Sequence, residues 1–410
     1  MNMNKTILII GSGFAGTALA LFLKRAGFQP VIYESRSASE VDNGAFLHLA
    51  PNGMNVLKTL GLEQTFEEDG FPTTGIAFYN SKGKRIGELD NTGDQVRYGA
   101  QGHVLKRERI FRLLRDEVVR QGIPIQYGHR LEGVQKLGEQ IIAHFQNGSS
   151  VQGDALIGAD GINSKTRQII LPDAPQPRFT GLVDTGGFTT IPRLKTSSSP
   201  QHMIFGKRAF FAYMTKPSGE VFWFSNVPWA KEPSRDELNQ ITPEAWKARL
   251  LALHAGDQEP VLEIIRSTPA ENLGKWPTRE MPPITTWHKG SVCLIGDAAH
   301  ATSPSAGQGA SLALEDAIVL AKCLRDEANF EMAFARFQHE RKARVDMIVQ
   351  QARRNGDRKV PNPLMGFVMD LLLPTFLKAA TSGIDQMYGY HVNWNDSTEK
   401  VHRQQLELQA

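Results

Sequence analysis

Gly11, Gly13 and Gly16 follow the β-branched run TILII (6–10) in the spacing G-x-G-x-x-G, with Ser12, Phe14 and Ala15 between them. The helical apolar pattern TALALFLKRAG comes next. Strand, tight turn and helix start in that order suit the diphosphate of a dinucleotide. Gly11 permits the turn, Gly13 lets the diphosphate approach the backbone, and Gly16 lets the helix pack close to the sheet. The first N–H groups of the helix then face the anion. A second strand, PVIYE, ends at Glu34, with Arg36 just beyond. A carboxylate at Glu34 can accept both hydroxyls of an adenosine ribose and repels a 2′-phosphate, so NADP is disfavoured at this position. Phe14, Ala15 and Arg36 join the glycines and Glu34 as candidate cofactor contacts. NAD and FAD both remain open at this point.

A second loop narrows the choice. In CLIGDAAHATSPSAGQG (293–309) an apolar strand ends at Gly296 and Asp297, and a loop with Pro304, Gly307, Gln308 and Gly309 leads into the helical run ASLALEDAIVLAKCL from Ala310. NAD held at the first loop rarely needs another of this kind so far along the chain. FAD, with a ribityl chain and a three-ring flavin to hold, does. A third segment, DALIGADGINSKTR (154–167), again ends an apolar strand, at Asp160 and Gly161, with Ser164 and Arg167 beyond. Arg107 begins a further helix in LKRERIFRLL; an exposed helix-start charge is its other reading.

The order of these motifs resembles the flavoprotein aromatic hydroxylases, single-component FAD-dependent monooxygenases typified by para-hydroxybenzoate hydroxylase. The resemblance carries implications for each residue. Asp297 binds a ribityl hydroxyl, Arg107 contacts the ribityl or phosphate region, and Asp160 lies near the pyrophosphate and the approach of NAD(P)H. Pro304, Gly307, Gln308 and Gly309 form the flavin-edge loop, and Gly307, Gly309 and Ala310 bring backbone to the N1/C2=O edge. Reduced flavin is anionic there, and a helix N-terminus stabilises such charge by about 0.3–2 kcal/mol. The implied activity is hydroxylation of an aromatic or polycyclic small molecule through a C4a-hydroperoxyflavin, with NAD(P)H as transient electron donor and O2 as co-substrate. Two alternatives stand beside it: an antibiotic-inactivating monooxygenase of the tetracycline type, and a non-oxygenating FAD reductase or binding protein. Flavin-dependent halogenases share the pattern but carry W-x-W-x-I-P; here Trp223-Phe224-Ser225-Asn226-Val227-Pro228 has serine at the second tryptophan.

These residues need a scaffold, and the expected one is α/β: a Rossmann-like FAD-binding domain, an antiparallel β-sheet substrate domain and C-terminal helices. The FAD-binding part is expected to be discontinuous, 1–72, 98–175 and 286–345. Residues 73–97 and 176–285 form the substrate sheet, and 346–410 a helical region. HMIFG, AFFAYMT and EVFWFSNVP read as strands of that sheet. Alternation puts Phe211 and Tyr213 on one face and Phe222 and Phe224 on one face, either lining an aromatic pocket or packing as core. With His48 and Pro304 they are the substrate candidates. His300 and Cys293 read as a structural hydrogen-bonder and a core residue. The run 336–354 reads as the solvated face of a long helix.

The balance of 46 basic and 43 acidic residues, interspersed, gives a net charge of +3 and no focused field for nucleic acid. Two cysteines make neither a disulfide framework nor a metal site, so no metal is expected and a reducing cytoplasm is the simplest compartment. The N-terminal apolar run reads as a strand and not a signal peptide. LMGFVMDLLLPTFL (364–377) is too short to span a bilayer and is expected as a packed helix pair in preference to a membrane-surface helix. The expected assembly is a monomer or weak dimer binding a small-molecule substrate.

Overall fold

The computed structural model describes residues 4–40, 45–194, 198, 200–357 and 383–397. Ile7, Leu8 and Ile9 are apolar on both sides of their strand, which places Thr6–Ile10 inside a sheet with both faces covered. It pairs in parallel with Gln29–Tyr33 on one side and Ala155–Gly158 on the other. Val292–Leu294 adds in parallel beyond Ala155–Gly158, and Ile125–Gln126 beyond Gln29–Tyr33. The edge strand His288–Lys289 is antiparallel. Three neighbouring parallel strands therefore end at one border of the sheet, and the chain leaves them through Gly11, Asp160-Gly161 and Gly296-Asp297. Ligands of open α/β sheets bind at such a border.

Helices Phe14–Arg25 and Gly309–Asp326 begin there and pack together. At Gly296, whose φ is 58°, an added Cβ would lie 3.0 Å from the Ala15 Cβ and 3.5 Å from the Ala313 Cβ. Small residues at all three positions bring the two helix starts to the same groove.

The second sheet has seven strands in the order Gly274–Glu280, Arg178–Thr190, Glu220–Pro228, Phe210–Thr215, Gln201–Phe205, Gly75–Asn80, Arg85–Asp90. It is antiparallel except where Gly75–Asn80 meets Gln201–Phe205 in parallel. A parallel pair needs a long crossover, and the whole chain between those two strands supplies it. One face of this sheet packs on helices Pro243–Leu253 and Val261–Ser267 through Trp223, Phe211, Trp246, Leu250 and Ile264. The other meets strands Phe46–Leu49 and His103–Lys106, where Phe222, Met214, Phe71 and Val104 form a small cluster with Phe46 and Phe188.

Helix Phe330–Asp357 departs from the expectation of a solvated face over 336–354. Arg341 in the middle of that run is fully buried, as are Phe337 and Ile348. The charged residues mislead because two of them, Arg341 and Arg344, face inward onto carboxylates. The same helix runs through position 346 without a break. Residues 364–377 lie outside the described residues. Among the described residues no helix is long and apolar enough to cross a membrane, and no His/Cys/Asp/Glu group could hold a metal ion.

Candidate active site

At the first loop the chain itself demands two of the three glycines. Gly11 has φ 107°, and a Cβ there would lie 2.4 Å from the Ala159 carbonyl oxygen; at Gly16 a Cβ would lie 2.0 Å from that of Gly11. Gly13 differs: its backbone is extended, and a Cβ would meet nothing nearer than the Phe111 ring at 3.9 Å. Its missing side chain leaves room in the groove. Helix Phe14–Arg25 has no side-chain cap, so its first N–H groups face that room. Glu34 is buried and accepts from Ser12 N (2.9 Å), Ser12 Oγ (2.7 Å) and Arg36 N (2.9 Å). Burial opposes its ionisation, but these donors and the Arg36 guanidinium outweigh it and hold the carboxyl below its ordinary range.

Asp160 adjoins the Gly11 turn, its Cα 3.2 Å from the position of a Gly11 Cβ. Its carboxylate is committed to its own turn, accepting from Ser164 Oγ (2.5 Å), Thr166 N and Thr166 Oγ1 (both 2.9 Å). Gly161 follows with φ 76°. Arg167, buried behind them, donates to the carbonyls of Ile162 (2.6 Å) and Ala298 (2.8 Å), which ties the Asp160 turn to the Asp297 turn. Arg107 starts helix Arg107–Arg120, its guanidinium over the Phe111 ring; Phe111 in turn lies 4.3 Å from Phe14. Asp297 opens onto the groove yet is hemmed in by protein. Burial pushes its carboxyl up, with Asp316 adding, while His300 and Arg107 pull it back.

The loop from Ser303 holds a turn at Pro304–Ala306, a left-handed Gly307 (φ 62°) and then Gln308 at the start of helix Gly309–Asp326. That helix also has no side-chain cap. Pro304 and Gly307 are exposed, Ala310 is half-buried, and a Cβ at Gly309 would clear the protein to 3.8 Å. Gln308 is fully buried: its Oε1 accepts from Asn52 Nδ2 (2.9 Å), the same nitrogen donates to Glu315 Oε1 (2.6 Å), and Gln308 Nε2 has no partner. Glu315 is held by Arg341 (2.7 Å) and Arg344 (2.7 Å), and Arg344 also donates to the carbonyls of Gln386 and Met387. Beside it, Asp316 accepts from Arg341 Nε (2.8 Å) and Gly296 N (2.8 Å) and pairs with His300 Nε2 at 2.6 Å. His300 is thus a structural hydrogen-bonder, and Cys293 is buried core, its thiol pushed up by burial.

His48 faces the loop from strand Phe46–Leu49. Its Nε2 is 3.1 Å from Thr73 Oγ1, and its Nδ1 is 4.0 Å from where a Gly307 Cβ would stand. Burial, with His103 nearby, pushes the imidazolium down to about 4, so the ring is neutral. Phe46, on the same face of that strand, contacts the rings of Phe222 and Phe224. These contacts bring the 303–309 loop, Phe46 with His48, and the sheet face bearing Phe222 and Phe224 together as the walls of a candidate chamber. Phe211 and Tyr213 are not in it, which corrects the expectation for them. Phe211 stacks on Trp223 and contacts His254 on the helix-covered face, and Tyr213 stacks on His202. Alternation assigned the pairs correctly; only the helix layer decides which pair looks at the chamber.

The helix-covered face also holds Ser225, His254 and Asp257 in the order of a hydrolytic triad, with Ser225 Oγ to His254 Nε2 and His254 Nδ1 to Asp257 Oδ2 both 2.9 Å. Ser225 and His254 are fully buried. No substrate reaches the serine, and the trio anchors the 254–257 turn to the sheet.

Residues 4–352 match the model of a family described as FAD binding domain. The chain belongs to this family. Among curated relatives, an aurachin C monooxygenase/isomerase of Stigmatella aurantiaca is 30% identical over 360 residues, 87% of this chain and 90% of the relative. A 6-hydroxynicotinate 3-monooxygenase of Pseudomonas fluorescens is 28% identical over 85% of this chain and 90% of its own length. A Klebsiella pneumoniae protein solved with FAD and uric acid superposes with a TM-score of 0.84 at 25% identity, covering 94% of this chain and 97% of that one. This chain is an FAD-dependent monooxygenase of the aromatic hydroxylase kind. Its own geometry fits the cofactor: open Cβ directions at Gly13 and Gly309, two uncapped helix starts on one groove, Asp297 beside Arg107, and an unpartnered amide donor at Gln308. Residues that motif spacing does not mark also bond to the residues of these loops and to one another, namely Ser12, Asn52, Glu315, Asp316, Arg341 and Arg344. The adjacent acids inside the apolar run ASLALEDAIVLAKCL were their one visible signal.

Proposed function

We propose that this monooxygenase takes NAD(P)H, O2 and a proton and converts an aromatic or polycyclic small molecule to its hydroxylated product, water and NAD(P)+. The observation that carries the reading is that Phe46, on the same strand face as the neutral His48 beside the flavin loop, meets the half-buried Phe224. Bound FAD supplies the passage of electrons from NAD(P)H and the activation of O2. The chain's residues supply the rest. Glu34 and Gly13 hold the adenosine and diphosphate end, Arg107 and Asp297 the ribityl region, and Asp160, Gly161 and Arg36 keep the turns that surround them in place. The Gly307–Gly309 backbone and Gln308 meet the flavin edge, with Pro304 at the chamber mouth. The aromatic walls keep water from the reacting centre. Aurachin C, 6-hydroxynicotinate and uric acid, named for relatives, are compounds that support a ring substrate.

In this reading 1–72, 98–175 and 286–345 hold FAD, 73–97 and 176–285 cover it, and the helices from 346 onward brace the loop. A cytoplasmic monomer or weak dimer with no nucleic-acid partner accompanies it, supported by two buried free thiols and a mixed surface charge. The test combines retention and labelling. Glu34→Ala and Asp297→Ala should each release FAD more readily than wild type, and substrate-stimulated NAD(P)H oxidation should place one atom of 18O2 in the product. Product without label would refute the reading.

A further inference from the structure

Outside the site already described, the turn at 216–218 and the segment from 68 to 74 enclose a cavity of about 360 Å3, the size of a small-molecule site. Phe71, Pro72 and Pro217 give it apolar walls, Thr74 and Ser218 two hydroxyls, and Lys216 an ammonium. Its two carboxylates are engaged: Asp69 accepts twice from Arg109 (both 2.7 Å), and Glu68 accepts from Gln64 (3.0 Å). A flat, uncharged, electron-rich ring suits such a lining, because an ammonium is drawn to the face of a π-system.

Only a thin partition separates this cavity from the candidate chamber. Phe71 and Lys216 line the cavity and also meet Phe222: the two rings lie 5.2 Å apart, and the Lys216 ammonium stands 5.0 Å from the centre of Phe222 and 5.6 Å from that of Phe71. Phe222 in turn meets Phe46 at 5.5 Å. A second link runs through the chain between Pro72 and Thr74, where Thr73 Oγ1 is 3.1 Å from His48 Nε2. The two parts of the partition differ in freedom. Phe71 is buried and packed with Val104, Met214 and Phe222. Lys216 has a flexible four-carbon stem, is followed by the exposed Pro217 and Ser218, and is held inward by Glu220 at 3.2 Å. Glu220 also takes Lys106 at 2.8 Å. When Lys216 swings outward the carboxylate keeps one cation, so no charge is stranded in the partition.

We propose that this cavity is the entrance for the ring substrate and that Lys216 is its gate, swinging off Glu220 to let a ring pass Phe71 and Phe222 into the chamber. The entrance presupposes the proposed function, in which the chamber holds the substrate. Glu220 latches the gate, and Lys106 keeps the latch in charge balance while the gate is open.

Thiol labelling tests it on the FAD-loaded full-length enzyme. Cys293 and Cys323 are fully buried and burial pushes both thiols up, so a cysteine placed in the chamber is the reactive one. Phe224→Cys supplies it, and 4,4′-dithiodipyridine, an uncharged two-ring reagent, is the probe; the released thiopyridone gives the rate. Where Phe224→Cys does not fold, Met214→Cys, opposite Phe222 in the same cluster, takes its place. At unchanged FAD content, adding Lys216→Ala should raise the labelling rate about threefold, the worth of one half-exposed ion pair. Adding Ser218→Trp, which fills the cavity from its exposed turn, should lower the rate toward the wild-type background. A rate unmoved by Lys216→Ala would remove the gate, and one unmoved by Ser218→Trp would remove the entrance, since the reagent then enters elsewhere. Labelling that follows the gate in an enzyme that puts no 18O into product would count against the proposed reaction and leave the entrance standing.

Discussion

Beneath the flavin loop, Asn52 Nδ2 donates both to Glu315 and to Gln308, which leaves the Asn52 Oδ1 acceptor unpartnered within the relay and the Gln308 Nε2 donor unpartnered at its far end. Across the chamber, Asp184 accepts from Asn226, and the atom left over is the Asn226 Oδ1 acceptor. In both regions a carboxylate dictates which way an amide turns. With two amides in series the free end is a donor, and with one it is an acceptor. The regions differ in what holds the carboxylate. Glu315 is fully buried and neutralised by two arginines, one of which, Arg344, reaches the 386–387 backbone, whereas Asp184 is half-buried at the sheet face. The first region is built into the core and should register in folding and FAD retention. The second should register in neither.

The largest expected effect comes from breaking the first region at its charge. Glu315→Leu leaves Arg344 buried without its carboxylate and Arg341 with Asp316 alone, at a cost of about 3–5 kcal/mol, read as a lower urea midpoint and a low yield of yellow protein. A stable, flavin-replete Glu315→Leu protein would show that the ion cluster is dispensable. Gly309→Val is next. A Cβ there clears the protein at 3.8 Å, so the apo fold should keep its thermal midpoint. The flavin ring should shift, with reduction by NAD(P)H slowed about a hundredfold or the oxygen lost as H2O2. Unchanged coupling between NAD(P)H consumed and product formed would detach this loop from the flavin.

These two tests also mark where the sequence was readable. Each glycine motif is a local strand–turn–helix, so Gly11, Asp160 and Gly296 could be seen one at a time, and a parallel sheet then had to set them side by side. The amide relays are not local. Asn52 and Glu315 are 263 residues apart, and Asp184 and Asn226 are 42 apart, with no spacing rule to join them. Arg341 looked solvent-facing because charge pattern does not register an inward carboxylate partner. Phe211 and Phe222 looked alike because a period of two defines faces but not what covers them.

A pH series sharpens the first region further. Burial opposes ionisation of Asp316, but His300 and Arg341 outweigh it and hold the carboxyl at about 2, against an ordinary 3.8. A folded-state value below the unfolded one means the contribution is complete above about 4 and is lost as pH falls toward 2. Urea midpoints measured across that interval should drop steeply in wild type and less steeply in Asp316→Asn; parallel curves would show that the acid sensitivity lies elsewhere. Asn52→Leu should weaken FAD retention about tenfold, through the lost bond to a charged acceptor, while Asn226→Leu should hold FAD as wild type does. Equal FAD losses in the two would erase the distinction between the regions. The smallest effect is expected from Ser225→Ala: about 1 kcal/mol of stability and no change in turnover. A fall in turnover at constant FAD content would give the sealed trio a role it lacks here.

Strand Glu220–Pro228 sends Ser225 to the helix layer and Asn226 to the chamber, one residue apart. Positions 222, 224 and 226 therefore belong to the face toward Phe46 and the flavin loop, and positions 223, 225 and 227 to the face that packs on the helix layer. A lineage can change the first set while the second keeps the protein foldable. Under the proposed function, a change of ligand here would need no new architecture, only alternate letters of one strand.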